Sequence, residues 1–214
     1  MDILQLDRQG FILVPAFLSA DECDAFIGMY DREDLFRKTI SMERYRFGAG
    51  EYKYFTYPLP ARIAEIRRAV YPLLAPVANR WTDSAFPDNH EDFLAVCRDH
   101  GQTLPTVLML KYGPGGHNTL HQDLYGEVYF PFQLVLFLNE PGVDYTGGEF
   151  VLTEQVPRAQ SKANVLQPRK GDMLVFTTRF RPGPKGKVNV KHGVSPLHSG
   201  TRHTLGIIFH DAAS

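Results

Sequence analysis

The chain has 214 residues, 43% of them hydrophobic and 22% charged, so it is long and apolar enough to bury a full core. A net charge of −1 and a pI near 6.7 provide no global attraction to nucleic acid or to an anionic membrane, so any such partner needs a local patch. The opening MDILQLDRQGFILV has neither a basic n-region nor a long apolar run, which predicts no signal peptide, no membrane span and a cytoplasmic protein.

Along the chain, Ser19-Ala20-Asp21-Glu22 reads as a capping box that opens a helix through Tyr30. Cys23 and Cys97 fall in amphipathic helical patterns, at no metal or disulfide spacing, and are predicted to be small core residues in a reducing compartment. Between Arg44 and Tyr57, RYRFGAGEYKYFTY interleaves Arg44, Arg46 and Lys53 with Tyr45, Phe47, Tyr52, Tyr54, Phe55 and Tyr57. Two readings stand for it: a β-hairpin packing its aromatics on the core, or a nucleotide-recognition lid in which bases stack on rings and phosphates meet cations. Pro60 to Arg80 has apolar residues at helical spacing, interrupted by Pro72 and Pro76. His90 opens HEDFLAVCRDH, a further helix start. Residues 1–102 are thus expected to be helical support that carries the candidate lid.

From Leu104 the pattern changes to seven short runs, LPTVLMLKY, FPFQLVLFLN, GGEFVLTE, ANVLQP, GDMLVFTT, KVNVKHGV and RHTLGIIFH, separated by turn-forming residues. The predicted fold is mainly β with N-terminal helices. Its core is a double-stranded β-helix (jelly roll, cupin-like) over residues 103–214, within one domain spanning 1–214. Ahead of His192, TTRFRPGPKGKVNVK carries Arg179, Arg181, Lys185, Lys187 and Lys191 with no acidic residue, which suits either a phosphate backbone or a solvated loop.

His121-Gln122-Asp123 is followed 69 residues after Asp123 by His192, and ten residues later by Arg202-His203-Thr204. By chance alone about 0.9 His-x-acid triplets are expected from 8 histidines and 24 acidic residues, so the triplet needs local support. A second one, His90-Glu91-Asp92, sits at a helix start, where residues i and i+2 diverge by about 200° and cannot close on one ion. His121 and Asp123 instead follow the β-rich run Thr103 to Tyr112 and the turn Gly113-Pro114-Gly115-Gly116, a context in which both side chains point the same way from a strand. Two nearby ligands and a distant histidine form the 2-His-1-carboxylate pattern of non-haem iron, with positions left open for co-substrate and O₂. For each histidine alone, a polar residue at a strand end is an equally good account; the joint pattern separates the readings. Arg202 and Thr204 alternate on an otherwise apolar strand, where an inward arginine is costly without an anion, while His203 points the other way. Tyr112 could add its phenol to the same anion or simply pack.

His121-x-Asp123, His192 and Arg202 resemble the Fe(II)- and 2-oxoglutarate-dependent oxygenase superfamily, and Tyr112-Gly-Pro-Gly-Gly, Gly147-Gly148-Glu149 and Gly171-Asp172 are similar to its prolyl-hydroxylase branch. The likeness covers Leu104 to Asp211. It implies Fe(II) on His121, Asp123 and His192, with 2-oxoglutarate as co-substrate held by Arg202, Thr204 and Tyr112, O₂ as oxidant and ascorbate as a stimulant. The implied reaction is hydroxylation or hydroxylation-driven demethylation with release of succinate and CO₂. Animal prolyl 4-hydroxylases commonly have lysine where Arg202 stands, and halogenating relatives lack the carboxylate that Asp123 supplies. The whole chain is also similar to an uncharacterised bacterial branch that has been predicted to act on nucleic acid, through Arg44–Tyr57 and Arg179–Lys191 here. Protein side-chain (prolyl-type) and small-molecule hydroxylation are the alternatives, and a cupin-like binding protein without iron is the non-enzymatic one.

Overall fold

The computed structural model describes residues 1–184 and 186–213. In chain order its elements are α1 (Ile3–Gln9), β1 (Phe11–Val14), α2 (Ala20–Gly28), β2 (Phe36–Ser41), α3 (Met42–Tyr45), β3 (Gly48–Ala49), β4 (Glu51–Phe55), α4 (Ala61–Thr82) and α5 (His90–Asp99). They continue with β5 (Leu108–Tyr112), β6 (His117–His121), β7 (Phe132–Phe137), β8 (Tyr145–Gly147), β9 (Phe150–Gln155), β10 (Lys162–Leu166) and β11 (Met173–Thr177). The last are β12 (Phe180–Gly183), β13 (Gly186–Val194), β14 (Leu197–Gly200) and β15 (Arg202–Ile208).

A seven-stranded antiparallel sheet runs β1-β11-β7-β15-β5-β4-β2, and a second sheet runs β10-β9-β13-β6-β3 with β12 beside β13. Strands β7 and β11 are buried on both faces, because one face of the large sheet meets the second sheet and the other meets the helices. The core is accordingly double. Leu134, Leu136, Leu205 and Ile207 pack under the helices with Tyr71 and Phe93, whereas Phe137, Phe150, Phe176 and Val190 fill the space between the sheets.

The capping box at Ser19 and Glu22 is formed and opens α2, and both cysteines are free and buried. Two expectations are corrected. The helix from Pro60 to Arg80 is not interrupted: α4 is continuous through Pro72 and Pro76. The prolines are four apart, both on the solvent face, so the carbonyls they leave unbonded reach water, while ten buried side chains hold the opposite face. The first hundred residues are also not purely helical. They give four strands, of which β1, β2 and β4 belong to the large sheet and β3 to the second. Short, aromatic or glycine-flanked strands of two to six residues show little periodicity of their own, and pairing with β5, β6 and β11 defines them. No helix among the described residues is long and apolar enough to cross a membrane.

Candidate metal and co-substrate site

The two sheets enclose a cavity of about 380 Å³, into which each sheet sends a different kind of group. The second sheet supplies the metal-type donors. His121 ends β6 and is the cross-strand partner of His192 on β13, which brings the ring centroids to 4.2 Å. Gly193 permits this approach, since a Cβ there would lie 2.7 Å from the Asn118 carbonyl oxygen. Asp123 lies just beyond the end of β6 rather than on it, and its carboxylate turns back between the imidazoles, 3.4 Å from each Nε2. One donor atom from each of the three residues falls within 4.8 Å of the others.

Local bonds orient these donors. The His121 Nδ1 lies 2.7 Å from the Thr119 carbonyl; as the N–H donor there it fixes the ring and turns Nε2 toward Asp123. Gln133 on β7 donates its amide to Asp123 Oδ2. Burial alone would raise the Asp123 pKa, but hydrogen bonds from His121 and His192 outweigh it and hold the carboxyl well below its ordinary value. Burial lowers the His192 pKa; at His121 burial is outweighed by the Asp123 carboxylate, and the pKa is raised. An ionised carboxylate between two imidazoles is the donor set that a divalent ion of intermediate hardness requires.

The large sheet supplies a buried arginine with hydroxyl groups beside it. Arg202, Thr204, Gly206 and Ile208 on β15 face the cavity at alternate positions, and Tyr112 on β5 is the register partner of Arg202. Arg202 is 1% exposed, yet no carboxylate among the described residues pairs with it, and its Nε and Nη1 have no hydrogen-bond partner. The Tyr112 hydroxyl is likewise buried and unpartnered, and burial pushes its pKa up to about 12, so it remains a donor. The rings of Tyr112, Phe137 and Tyr145 surround the guanidinium carbon at 5.4 to 5.9 Å. Gly148 (φ +65°) makes room beside it, because a Cβ there would lie 3.3 Å from Arg202 Cδ and 2.6 Å from Leu197 Cδ1. A buried cation with two unused donors fits a carboxylate-bearing co-substrate, as the three donors fit iron.

His203 faces away from the cavity but not into solvent; it is buried against the Tyr30 ring at 5.4 Å. The alternative triplet stays apart from the site: His90 begins α5 and its Nε2 meets the Phe209 carbonyl at 2.9 Å. Among the lining residues that the sequence did not mark as site residues are Gln133, Tyr125 and, though noted as part of an aromatic stretch, Tyr52 and Tyr54. Gln133 carried a usable signal, being the one polar residue of FQLVLF.

The basic stretches are only partly available. Lys53 points to the opposite face of β4 from Tyr52 and Tyr54, where it is buried against Glu33 and the Tyr30 carbonyl. Arg181 is paired with Glu154. Lys185 lies outside the described residues. Arg44, Arg46, Arg179, Lys187 and Lys191 are exposed.

Two histidines and a carboxylate over one sheet of a jelly roll, and a buried arginine over the other, give the chain the fold and the donor set of the Fe(II)- and 2-oxoglutarate-dependent oxygenases. More narrowly, it belongs to the Oxygenase-NA family, described as "Oxygenase, catalysing oxidative methylation of damaged DNA", whose model matches residues 50–212. It is 48% identical over 168 residues to an uncharacterized Mycobacterium tuberculosis protein, covering 74% of this chain and 72% of that one. In fold it is similar to a Pseudomonas putida prolyl-4-hydroxylase (TM-score 0.60, 19% identity, 98% of this chain and 97% of that chain). It is also similar to a Burkholderia pseudomallei oxidoreductase of the 2OG-Fe(II) oxygenase family (TM-score 0.60, 14% identity, 99% and 91%).

Proposed function

We propose that the chain hydroxylates a C–H bond of a nucleic-acid base, or of an alkyl group carried on one, and that His121, Asp123 and His192 hold Fe(II) for this reaction. Arg202, Thr204 and Tyr112 bind the distal carboxylate of 2-oxoglutarate. The observation that carries the reading is Arg202: a fully buried cation, with no carboxylate paired to it among the described residues, in the same cavity as the three donors. Bound Fe(II), O₂ and 2-oxoglutarate supply the oxidising chemistry, in which the co-substrate is converted to succinate and CO₂ as the substrate carbon gains a hydroxyl.

The protein's part is positioning. Asp123 enters as the carboxylate, so one positive charge of the ion is balanced by the chain. Arg202 and the Tyr112 phenol meet the co-substrate with N–H and O–H donors, and Thr204 adds a hydroxyl. Leu108, Leu110, Val135, Phe150 and Phe176 give the cavity apolar walls that exclude water from the reacting carbon. Where the oxidised carbon is a methyl on a ring nitrogen, the new O–H proton passes to that nitrogen as the C–N bond breaks, releasing an aldehyde and the unmodified base.

The family description supports a nucleic-acid substrate, and so does the rim. Tyr45 and Phe47 stack on each other with centroids 5.6 Å apart, each 47% exposed, and the Arg44 guanidinium lies 5.9 Å from the Tyr45 ring. The test is succinate release by iron-loaded enzyme with no substrate, with methylated single-stranded oligonucleotides and with proline-containing peptides. Oligonucleotides are expected to raise the rate above the uncoupled baseline. Stimulation by peptides alone would replace the base with a protein side chain.

A further inference from the structure

A second cavity of about 330 Å³ adjoins the first, and the two share Phe47, Tyr52, Tyr54 and Tyr125 in their walls. A molecule with one group at the metal donors can therefore continue past these rings without leaving the protein surface. Beyond the shared wall the second cavity adds Arg37 and Lys38 from β2 and Tyr45 from α3, and no acidic side chain lines it among the described residues. The two cations have no carboxylate partner among those residues either, whereas Lys53, Arg181 and Arg67 elsewhere do.

Its polar groups are placed rather than loose. The Arg37 Nε and Nη2 donate to the Pro105 carbonyl at 3.2 and 3.1 Å, which lays the guanidinium over the Tyr54 ring at 4.8 Å and leaves other N–H groups free. The Tyr125 hydroxyl, in the wall common to both cavities, is buried and has no hydrogen-bond partner among the described residues. An unsatisfied buried hydroxyl at this junction is the position at which a ligand atom would complete a hydrogen bond. The ligand chemistry that matches aromatic faces, two free cations and a neutral hydroxyl is a flat heterocycle joined to an anion, as in a nucleotide.

We propose that the second cavity is a nucleotide subsite, which takes the base and phosphate of the nucleotide adjoining the one oxidised. The inference rests on the nucleic-acid reading of the first cavity and deepens it: base selection at the metal is accompanied by a grip on the neighbour, so the minimal substrate is a dinucleotide rather than a free base. Tyr45 supplies a face for the neighbouring base, and Arg37 and Lys38 neutralise its phosphate.

The test is equilibrium binding of a fluorescein-labelled ten-residue single-stranded oligothymidylate by the whole protein with 2-oxoglutarate and Zn(II) present, across a salt series. Wild type is compared with the Arg37→Ala/Lys38→Ala double variant and with Tyr45→Ala. The double variant is expected to bind at least ~10-fold more weakly, and its slope of log affinity against log salt to be shallower by about 0.7 for each phosphate that the protein no longer neutralises. Tyr45→Ala should weaken binding by about 5- to 100-fold and leave the slope unchanged, because stacking carries no counterion term. A thermal shift by 2-oxoglutarate equal to that of wild type shows that each variant is folded; should the double variant lack it, Lys38→Ala alone takes its place. Wild-type affinity and slope in both variants would overturn the subsite and leave the nucleic-acid reading standing. Failure of the wild-type protein to bind the oligonucleotide even at low salt would overturn both.

Discussion

Arg202→Met is expected to stabilise the protein in the absence of co-substrate while removing most of its response to 2-oxoglutarate. The guanidinium is 1% exposed, with Nε and Nη1 unpartnered and no carboxylate against it among the described residues. A buried donor without a partner costs about 1–3 kcal/mol, and three surrounding rings return about 0.5–2 kcal/mol of this through cation–π attraction. Methionine spans a similar length, has no polar atom to satisfy and leaves the rings against an apolar chain. The net gain is about 0.5–1 kcal/mol, which for a chain of this size raises Tm by about 1–4 °C.

With 2-oxoglutarate the order reverses. Ligand at 100 times its Kd stabilises wild type by about 2.7 kcal/mol, whereas loss of the charged fork costs the variant about 2–5 kcal/mol of binding energy. The variant should therefore melt higher than wild type without the co-substrate and show at most about a third of the wild-type shift at a concentration that saturates wild type. Scanning calorimetry with Zn(II) present throughout, with and without 2-oxoglutarate, measures both. A variant that melts several degrees below wild type without ligand would show that Arg202 is a structural group already satisfied by its surroundings. A ligand shift equal to that of wild type would remove it from the co-substrate site.

Asp123→Ala removes the carboxylate between the two imidazoles and is expected to reduce succinate formation to the enzyme-free background; normal turnover would refute the metal assignment. Gln133→Leu deletes the amide that holds Asp123 Oδ2 in a cavity wall and should weaken divalent-ion binding by about 10- to 100-fold, read by competition with a chromophoric chelator. Burial, as the largest cause, depresses His90 to about 3 and His203 and His210 to about 4, so the unfolded chain binds their protons first as pH falls. Their stabilisation is complete above about pH 6.5 and is lost progressively toward pH 4, by about 2 kcal/mol each at pH 5. Urea midpoints across pH 4–8 should show this decline, and His90→Gln should make it shallower by about one proton; a flat profile would refute the neutral burial of these rings.

The clustering of the two histidines and the cavity-facing side of β15 were legible in the sequence because both depend on short-range geometry. A strand places Arg202 and Thr204 on one face and His203 on the other whatever lies nearby, and His121 and His192 needed only two strands in register. Asp123 shows the limit of that logic, since it acts from beyond the strand end, and the path of the chain after His121 depends on tertiary interactions such as the bonds from Gln122 to the Arg179 and Val190 carbonyls. The prolines in α4 misled for a related reason. Their effect on a helix depends on whether the freed carbonyls face water or the core, which spacing alone does not say. Lys53 was miscounted as a surface cation because its neighbours Glu33 and the Tyr30 carbonyl are about twenty residues away in sequence.

Lys53 also explains how the N-terminal third takes part in the site. With a period of two, β4 can show either Tyr52 and Tyr54 or Lys53 to the cavities, and a slip of one residue would exchange them. The buried ammonium, bonded to the Tyr30 carbonyl and paired with Glu33, fixes the choice: moved to the cavity face it would lose both partners and put a cation among apolar walls near the metal donors. The same interaction therefore excludes a competing positive charge from the metal cavity and commits two tyrosines to the wall shared with the second cavity. The β-rich half of the chain carries the three candidate donors and the buried Arg202, while the register of one N-terminal strand decides which rings line the cavity beside them. Within such a fold, substrate preference can change through β2 to β4 without disturbing His121, Asp123, His192 or Arg202.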